Sequence, residues 1–309
     1  MRTNTHISDP HDAGRVLALA SDGRMWLDER YGHRLRAAGM VGFDAVMDGR
    51  RGRRFRKRRV RENWYLPPPE PPQAAGMFLK KHRLRTLVSR VRAWLGLGPG
   101  RSPGRAEAEN AAGLRCAGIR VMPVVAYGER LGADGWLESF LLTEELRGFE
   151  ELDRFIRRRF GAHANQLAPP RPSDARANAC DRDLRRLLAE MARIARQFHA
   201  AGYNHRDFYC CHFFVREPRR GEFDIRMIDL QRIQRWPWFR RRWLVKDLSQ
   251  LSWSAPAECI QTAHRMAFIK AYLGVRKLRP ADKRLIREVL DKHHVMQRRL
   301  GFSRGSENP

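Results

Sequence analysis

Two acidic residues, Asp207 and Asp229, stand in surroundings that suit the transfer of a phosphoryl group. Asp207 follows His205 and Arg206, and His212 comes five positions after it; Asp229 ends an apolar, strand-like segment. Phosphoryl transfer needs one carboxylate to receive or orient the proton of an attacking hydroxyl, and another to hold the magnesium that bridges the phosphates. We therefore take Asp207 as the candidate catalytic base, with His205 and Arg206 beside it, and Asp229 as the candidate magnesium ligand.

The spacing around Asp207 is typical of a protein-kinase catalytic loop, in which His-Arg-Asp is followed by a metal ligand five positions after the Asp. The tripeptide alone occurs by chance in many chains, so its surroundings matter. Residues 184–198 keep a helical period and Gly202 follows as a stop. After the loop, residues 212–215 and 225–228 predict two short strands with a polar turn over 216–221. This order of elements is that of a kinase large lobe.

Structural alternatives stay open for some of these residues. The alternative for Asp207 is an Asp in a turn after a helix that only caps backbone amides, and the alternative for Asp229 is a strand-end Asp that makes a turn. His212 stands where kinases have Asn; it is either a ligand of a second metal or of a phosphate, or a buried structural residue. A zinc site from His205, Cys210, Cys211 and His212 is disfavoured, because these residues are too close in sequence for ordinary ligand spacing.

A nucleotide site is predicted around Lys80. It lies on a predicted strand, residues 77–82, where a lysine neutralises the α- and β-phosphates of ATP, and its partner would be a carboxylate on the next helix. That helix is predicted at residues 105–117; Glu107, which lies on its apolar face, is the first choice, and Glu109 is the second. Lys81 leaves the register open, because alternation along a strand sends neighbouring side chains to opposite faces and only one lysine can serve.

The loop that would cover the phosphates has a weak signal. The pattern G-x-G-x-x-G is absent from the sequence, and Gly49 and Gly52 are the candidates. They fall in a predicted turn between strands at 40–47 and 53–66. Their amides and the arginines nearby could cover phosphate, but an ordinary hairpin turn explains the same glycines.

The predicted fold class is α+β, with two lobes. Residues 1–22 are interpreted as a flexible leader, and residues 23–145 as a small nucleotide-binding lobe with an antiparallel sheet of about five strands and one helix. Residues 146–309 are interpreted as a larger, mainly helical lobe with the catalytic loop, the metal and the acceptor site. Glu145, in the connection between the lobes, is assigned to the nucleotide site.

Helices are predicted in the larger lobe at about 243–252, 258–273 and 280–299. Asp247, near the start of the first of them, is expected to accept amide hydrogen bonds from the catalytic loop and hold it rigid.

Composition favours anionic partners. Lys and Arg number 61 against 34 Asp and Glu, which gives a net charge of +27, with a dense centre at residues 50–61. Such a surface suits nucleic acid, anionic lipid or a phosphorylated substrate; solvated arginine faces are the plain alternative.

The segment Met1–Ala13 lacks a signal-peptide core, and apolar runs stay below the roughly 20 residues of a membrane span. Five cysteines without a CxxC pair predict reduced thiols in the cytoplasm.

Several further motifs resemble those of the lipopolysaccharide core kinases, a family that covers heptose and Kdo kinases of Gram-negative bacteria. The resemblance spans about residues 40–275 and includes His in place of the kinase Asn. The matching segments are Phe78–Arg83, Val125–Arg130, Thr143–Leu146, Asn204–Asp207 with His212, Ile228–Arg232 and Arg242–Leu248. The heptose kinases are the more similar branch. The arginine cluster at 50–61 and the proline-rich stretch at 67–72 depart from the family.

The resemblance implies a kinase-like fold in which Lys80, Asp207 and Asp229 take the ATP and catalytic roles. It implies ATP and Mg²⁺ as cofactors and phosphorylation of a heptose hydroxyl on the lipopolysaccharide inner core. The expected place is the cytoplasm, at the periphery of the inner membrane, where an anionic glycolipid and an anionic membrane surface are the partners.

Two alternatives remain. The first is a kinase with another acceptor, such as Kdo, another small molecule or a protein. No Ala-Pro-Glu sequence or long activation segment lies between Asp229 and Lys246, which argues against a regulated protein kinase. The second is a non-catalytic basic binding protein with a kinase-like fold, which the joint presence of Lys80, Asp207 and Asp229 disfavours. Nucleic-acid binding has only charge in its favour, without a recognition module.

Overall fold

The structure is a computed structural model that describes residues 17–20, 23–68, 74–164, 175–235, 238 and 240–304, without the side chains of 162–177 and of 300 onward. The strands are β1 (Leu17–Leu19), β2 (Met25–Asp28), β3 (Arg53–Arg58), β4 (Arg61–Leu66), β5 (Met77–Leu84), β6 (Val124–Leu131), β7 (Leu137–Glu144), β8 (Glu150–Glu151), β9 (Tyr203–Asn204), β10 (Phe213–Arg219), β11 (Glu222–Met227) and β12 (Gln234–Arg235). The α-helices are α1 (Gly32–Ala37), α2 (Phe43–Met47), α3 (Leu87–Trp94), α4 (Pro103–Cys116), α5 (Leu152–Ala164), α6 (Ala175–Ala200), α7 (Arg240–Ser254), α8 (Thr262–Leu273) and α9 (Pro280–Arg304).

The described residues fall into two compact units. The first contains the residues up to Arg147 together with Asp229–Gln231, and the second contains Gly148–Ile228 and the residues from Arg232 onward. The first unit holds a seven-stranded antiparallel sheet in the order β1-β2-β6-β7-β5-β4-β3. The mixture of helices with an antiparallel sheet confirms the predicted α+β class.

The sheet of the first unit is larger than the predicted five strands. Residues Leu17–Leu19, inside the segment interpreted as a leader, form β1 and pair with β2; the rest of that segment lies outside the described residues, apart from Ala20. One face of the sheet is covered by a core of buried apolar side chains. This core contains Met25, Leu35, Met40, Phe43, Val46, Met47, Trp64, Leu66, Met77, Leu79, Val125, Ala126, Phe140 and Leu142.

The predicted strand at 40–47 was wrong, because this segment contains the short helix α2. Phe43, Val46 and Met47 are all buried in the core of the first unit. Their spacing of three and four residues places them on one side of a helix. A short run that is almost entirely apolar does not distinguish a buried strand from one buried helical turn.

The predicted extended segment at 53–66 is a hairpin of β3 and β4 with a tight turn at Arg59–Val60. Helix α3 was not predicted from the sequence. It begins after Thr86, whose hydroxyl accepts from the backbone N–H of Ser89 while the Ser89 hydroxyl accepts from the backbone N–H of Thr86. Its apolar side chains are largely exposed, so it lacks the buried stripe by which helices are normally recognised.

The second unit is mainly helical, with a three-stranded sheet in the order β11-β10-β8 and a short pair β12-β9. The helices expected at 184–198, 243–252, 258–273 and 280–299 are present as α6 to α9, with somewhat different ends. The turn expected over 216–221 is shorter, because β10 continues to Arg219 and β11 starts at Glu222. A cluster of buried rings lies under the loop after β9; it contains Phe198, Phe208 and Phe213.

Candidate active site

Lys80 lies at the centre of a charged cluster in the first unit. It sits on β5, which is paired on both sides by β4 and β7, so its position is fixed by the sheet. Its ammonium donates to Oε1 of Glu107 at 2.6 Å and to Oδ1 of Asp229 at 3.3 Å. Glu107 is fully buried on α4, as the helical period predicted. The cluster offers one cation to phosphate oxygens and keeps one carboxylate, Asp229, partly exposed.

Lys81 points to the opposite face of β5 and has a structural role. Its ammonium donates to the carbonyl oxygens of Met47 and Gly49 and lies 5.2 Å from the centre of the Trp64 ring. Burial lowers the pKa of Lys81 to about 8, against the weaker opposite effect of Glu62. The register left open by the sequence is therefore resolved in favour of Lys80 as the lysine of the charged cluster.

The backbone at Asp229 is held by α4. Asp229 has a φ of +55°, a left-handed conformation that costs about 1 kcal/mol or more in a residue other than glycine. The residue after it, Leu230, donates its N–H to Glu107 at 3.2 Å and accepts from the amide of Asn110 at 2.7 Å. Glu107 thus orients both Lys80 and the segment that carries Asp229. Asn110 was not identified from the sequence, since an Asn inside a helix gives no signal of a distant backbone partner.

The donor groups fit a magnesium ion. Among the described residues, no group of three or more His, Cys, Asp or Glu side chains forms a metal site by itself. Magnesium is usually held by one or two carboxylates together with phosphate oxygens and water, so a single partly exposed carboxylate such as Asp229 is a suitable protein contribution. Of the four residues weighed for zinc, Cys210 is buried and Cys211 is exposed.

The candidate catalytic loop of the second unit, residues 204–212, is tied to α7. The buried carboxylate of Asp247 accepts from the backbone N–H groups of His205 at 2.8 Å and Arg206 at 3.1 Å. This is the role predicted for Asp247. Gln250, one turn further along α7, accepts from the N–H of Phe208 and donates to the carbonyl of Arg206. The loop is therefore rigid on the side that faces α7, and Gln250 is a support that the sequence did not reveal.

Arg206 holds the loop in a left-handed turn. Its φ is +69°, and its guanidinium lies 5.4 Å from the centre of the Trp243 ring, over its face. Lys246 donates to the Arg206 carbonyl oxygen. Burial lowers the pKa of Lys246, while Asp207 and Asp247 act in the opposite direction. The observed contacts of Arg206 thus position the backbone immediately before Asp207.

Asp207 carries its carboxylate on a loop that two further side chains stabilise. Arg232 donates to Oδ2 of Asp207 at 2.7 Å. Nδ1 of His212 lies 2.6 Å from the Asp207 carbonyl oxygen, and the His212 ring stacks on the ring of His205 at 5.6 Å. Because a carbonyl oxygen only accepts, Nδ1 of His212 is the donor in this contact. Arg232 was missed, since nothing in its spacing relates it to Asp207.

A cavity of about 660 Å³ lies next to the catalytic loop in the second unit. The Tyr209 and Trp253 rings meet edge to face along it, and Arg157 and Asp153 supply charge. It is lined by Asp153, Arg157, Tyr209, Cys211, Trp253, Ser254, Ala255, Pro256, Ala257 and Gln297. Its volume is in the usual range for small-molecule sites.

Gly49 and Gly52 do not lie between two strands, so their predicted placement was wrong. They connect α2 to β3, and the turn of the following hairpin is Arg59–Val60. Gly52 has a φ of +81°, and a Cβ there would lie 2.2 Å from the carbonyl oxygen of Tyr65. The absence of a side chain at Gly52 is explained by this close approach of two backbone segments.

Glu145, the candidate in the connection between the lobes, uses its carboxylate within the first unit. It accepts from the hydroxyl of Tyr65 at 3.1 Å and from the backbone N–H of Gly76 at 2.9 Å. Its own N–H donates to the Gly76 carbonyl. These contacts fix the start of β5, three residues before Lys80.

The sheet with its Lys-Glu-Asp cluster and the helix-supported His-Arg-Asp loop define a protein-kinase-like fold. The model of the lipopolysaccharide kinase (Kdo/WaaP) family matches residues 75–272. The chain belongs to this family, which confirms the resemblance seen in the sequence.

Individual relatives agree with the family match. Lipopolysaccharide core heptose(I) kinase WaaP of Pseudomonas aeruginosa is 32% identical over 180 residues, which cover 57% of this chain and 58% of that protein, less than two thirds of its length. WaaP of Escherichia coli is 33% identical over 204 residues, 64% of this chain and 70% of the relative. A solved structure of WaaP in complex with acyl carrier protein superimposes with a TM-score of 0.62 at 28% identity, covering 89% of this chain and 97% of that one.

Proposed function

We propose that this protein is an ATP-dependent kinase that phosphorylates a heptose hydroxyl of the lipopolysaccharide inner core. The observation that carries this proposal is the ion cluster in which Lys80 contacts both Glu107 and Asp229. An unneeded buried charge network is costly, whereas a phosphate-binding lysine requires this arrangement. The names of the matched relatives supply the acceptor, heptose on the lipopolysaccharide core.

The residues of the first unit bind and orient the nucleotide. Lys80 donates to the α- and β-phosphate oxygens, and Glu107 holds the ammonium in position from below. Asp229 would provide a carboxylate to hold a magnesium ion, whose positive charge would offset the negative charge of the phosphates. The buried Glu107 keeps Lys80 and the Asp229 backbone in register, so that binding of ATP needs little rearrangement.

The residues of the second unit act on the acceptor. Asp207 orients the attacking sugar hydroxyl and receives its proton as the sugar oxygen bonds to the γ-phosphorus and the bond from that phosphorus to the leaving ADP breaks. Arg232 holds the Asp207 carboxylate in place, and Asp247 fixes the loop behind it. His212 serves as a second metal ligand or contacts a phosphate oxygen.

The cavity at Tyr209 and Trp253 is the proposed acceptor site. Aromatic faces pack against the apolar side of a sugar ring, and Arg157 can pair with a phosphate group of the anionic core. Among the described residues, no helix is long and apolar enough to cross a membrane. The net charge of +27 favours an anionic surface, and we propose that the protein works in the cytoplasm at the periphery of the inner membrane and meets its glycolipid there.

The test is magnesium-dependent transfer from ATP to a lipid-linked heptose core acceptor, compared between the native protein and Asp207→Asn. We expect transfer to fall by about a thousandfold or more in the variant, while ATP binding is retained. Asp291→Asn, at an exposed position of α9, is the control and should transfer like the native protein.

Two other outcomes point elsewhere. ATP binding with transfer to a Kdo acceptor, but not to heptose, would keep the kinase and replace the acceptor. Absence of ATP binding in the native protein would overturn the catalytic proposal and favour a basic binding protein with a kinase-like fold.

A further inference from the structure

Helix α3 and the residues after it expose most of their apolar side chains. Leu87, Val88, Val91 and Trp94 are 74%, 68%, 45% and 83% exposed, and Leu95 and Leu97 follow at 54% and 47%. At 100° per residue, the positions from Leu87 to Leu95 fall within one sector of the helix. Isolated exposed apolar residues are ordinary, but a contiguous set of this kind marks an interaction surface.

The helix is fixed by its polar side, so the apolar side points away from the unit. Ser89 is its buried residue. The Ser89 hydroxyl donates to the carbonyl oxygen of Gly135 at 2.8 Å, in the turn between β6 and β7. Gly135 has a φ of +84°, and a Cβ there would meet Arg90 at 2.8 Å. The polar side of α3 is thus packed tightly onto this turn, and the apolar sector is presented rigidly.

Other exposed apolar residues lie at the same end of the sheet. Strand β5 ends at Leu84, which pairs with Leu137, just before α3 begins. Arg83 donates its N–H to the carbonyl of Val60, so the turn of the β3–β4 hairpin is adjacent. Val60 in that turn and Trp136 in the β6–β7 turn are both exposed. Two turns and a helix therefore bring apolar side chains to one end of the first unit.

Positive charge predominates at this end, although the β6–β7 turn also carries the exposed Asp134. No Asp or Glu occurs from residue 71 to residue 106, whereas Arg85 and Arg90 flank the apolar sector and are exposed. The neighbouring strand β3 has the sequence Arg-Arg-Phe-Arg-Lys-Arg and is exposed along its whole length. A helix with an apolar face, a tryptophan and basic flanks is the pattern of helices that lie in the interface of an anionic membrane.

We propose that α3, together with the β3–β4 turn and Trp136, docks the protein on an anionic lipid bilayer. Leu87, Val91 and Trp94 enter the boundary between headgroups and acyl chains, and the arginines pair with lipid phosphates. A bilayer suits this surface better than an acidic partner protein, because apolar side chains that stand outward need a medium into which all of them can insert. The inference shares its setting with the proposed function but does not depend on catalysis.

The test is co-sedimentation of the full chain, without ATP, with vesicles of phosphatidylethanolamine and phosphatidylglycerol. We expect the double variant Leu87→Ser with Trp94→Ser to lower the partition coefficient by about tenfold or more, since two apolar side chains lose their insertion. Vesicles of phosphatidylcholine should bind the native protein weakly. Trp238→Ser is the matched control, because Trp238 is 70% exposed in the other unit. Both substitutions are at exposed sites, and unchanged thermal midpoints will verify folding.

The outcomes separate this proposal from others. Equal binding by the double variant and the native protein, or an equal loss in Trp238→Ser, would overturn it. The proposal would also be overturned if the native protein failed to bind anionic vesicles but bound an acidic carrier protein, or a second copy of this chain, through Trp94. Asp207→Asn should bind vesicles like the native protein, so failure of the kinase proposal leaves the docking result readable.

Discussion

Glu107 is the residue on which the candidate nucleotide site depends most. It is fully buried, and it accepts from both the Lys80 ammonium and the Leu230 amide. In Glu107→Gln the shape is kept but the charge that holds Lys80 is lost. We expect kcat/KM for ATP to fall roughly tenfold to hundredfold, the equivalent of about 1.5–3 kcal/mol for a hydrogen bond to a charged group.

Glu109→Gln is the control for that measurement. Glu109 lies on the same helix but binds Arg101 and Arg105, away from Lys80. It should keep the kcat/KM of the native protein. A loss as large as that of Glu107→Gln would mean that α4 as a whole, and not the contact with Lys80, controls nucleotide use.

The buried ammonium of Lys81 makes the stability of the protein depend on pH. Burial lowers the pKa of Lys81 from 10.5 to about 8. Between these pH values the folded protein has released the proton that the unfolded chain still binds, so the free energy of unfolding rises with pH. Below pH 8 both states are protonated, and the cost of the buried charge is fully present.

Lys81→Met removes this pH dependence. We expect the unfolding free energy of the native protein to rise relative to the variant by up to about 3 kcal/mol between pH 8 and pH 10.5. Urea unfolding at both pH values measures the difference, and groups common to the two proteins cancel. A difference that stays constant with pH would contradict the assignment.

Helix α7 supports the candidate catalytic loop through side chains that bind the loop backbone. Asp247 satisfies two backbone N–H groups at once, and Asp247→Asn replaces one acceptor oxygen by a donor. We expect kcat to fall about tenfold to hundredfold with little change in KM for ATP, because one loop amide loses its partner. Steady-state kinetics measure both constants, with Asp291→Asn again as the surface control. An unchanged kcat would show that the loop holds its shape without α7.

Elements with strong periodicity could be predicted from the sequence, and others could not. The helical period of α4 placed Glu107 on the side of the helix that faces Lys80. The catalytic-loop motif around His205 led to the correct prediction of the helices on either side of it, α6 and α7. The helix at 43–47 was mistaken for a strand because its single turn is almost entirely apolar. Asn110, Arg232 and Gln250 act on residues far away in sequence, through contacts that exist only once the chain has folded.

The turn of the β3–β4 hairpin is another feature that the local sequence did not predict. The sequence predicted a turn between two strands at Gly49 and Gly52, but the turn of the hairpin is Arg59–Val60. Register, which depends on pairing with β5, determined the position of the turn, and glycine content did not.

The net charge of +27 is the main electrostatic feature of the whole molecule. Like charges repel more strongly in the compact state than in the unfolded chain, and salt screens this repulsion. The Debye length falls from about 30 Å at 10 mM salt to about 8 Å at 150 mM. We expect the thermal midpoint to rise by a few degrees over this range, on the order of 1 kcal/mol of stability.

Differential scanning fluorimetry of Arg56→Glu with Arg58→Glu provides the comparison. Both residues are exposed on β3, and the change lowers the net charge. The rise of the midpoint with salt should be smaller in this variant. A midpoint that falls with salt in the native protein would show that ion pairs, and not repulsion, dominate its electrostatics.

The short connection between Asp229 and α7 has a consequence for the control of flux. Ten residues separate Asp229 from Arg240, where α7 begins. A covalent on-off switch of the kind found in signalling kinases needs a longer segment that phosphorylation can order. If the kinase proposal holds, a switch of that kind has no segment to act on here, and the output of the protein would follow the supply of acceptor and its own abundance.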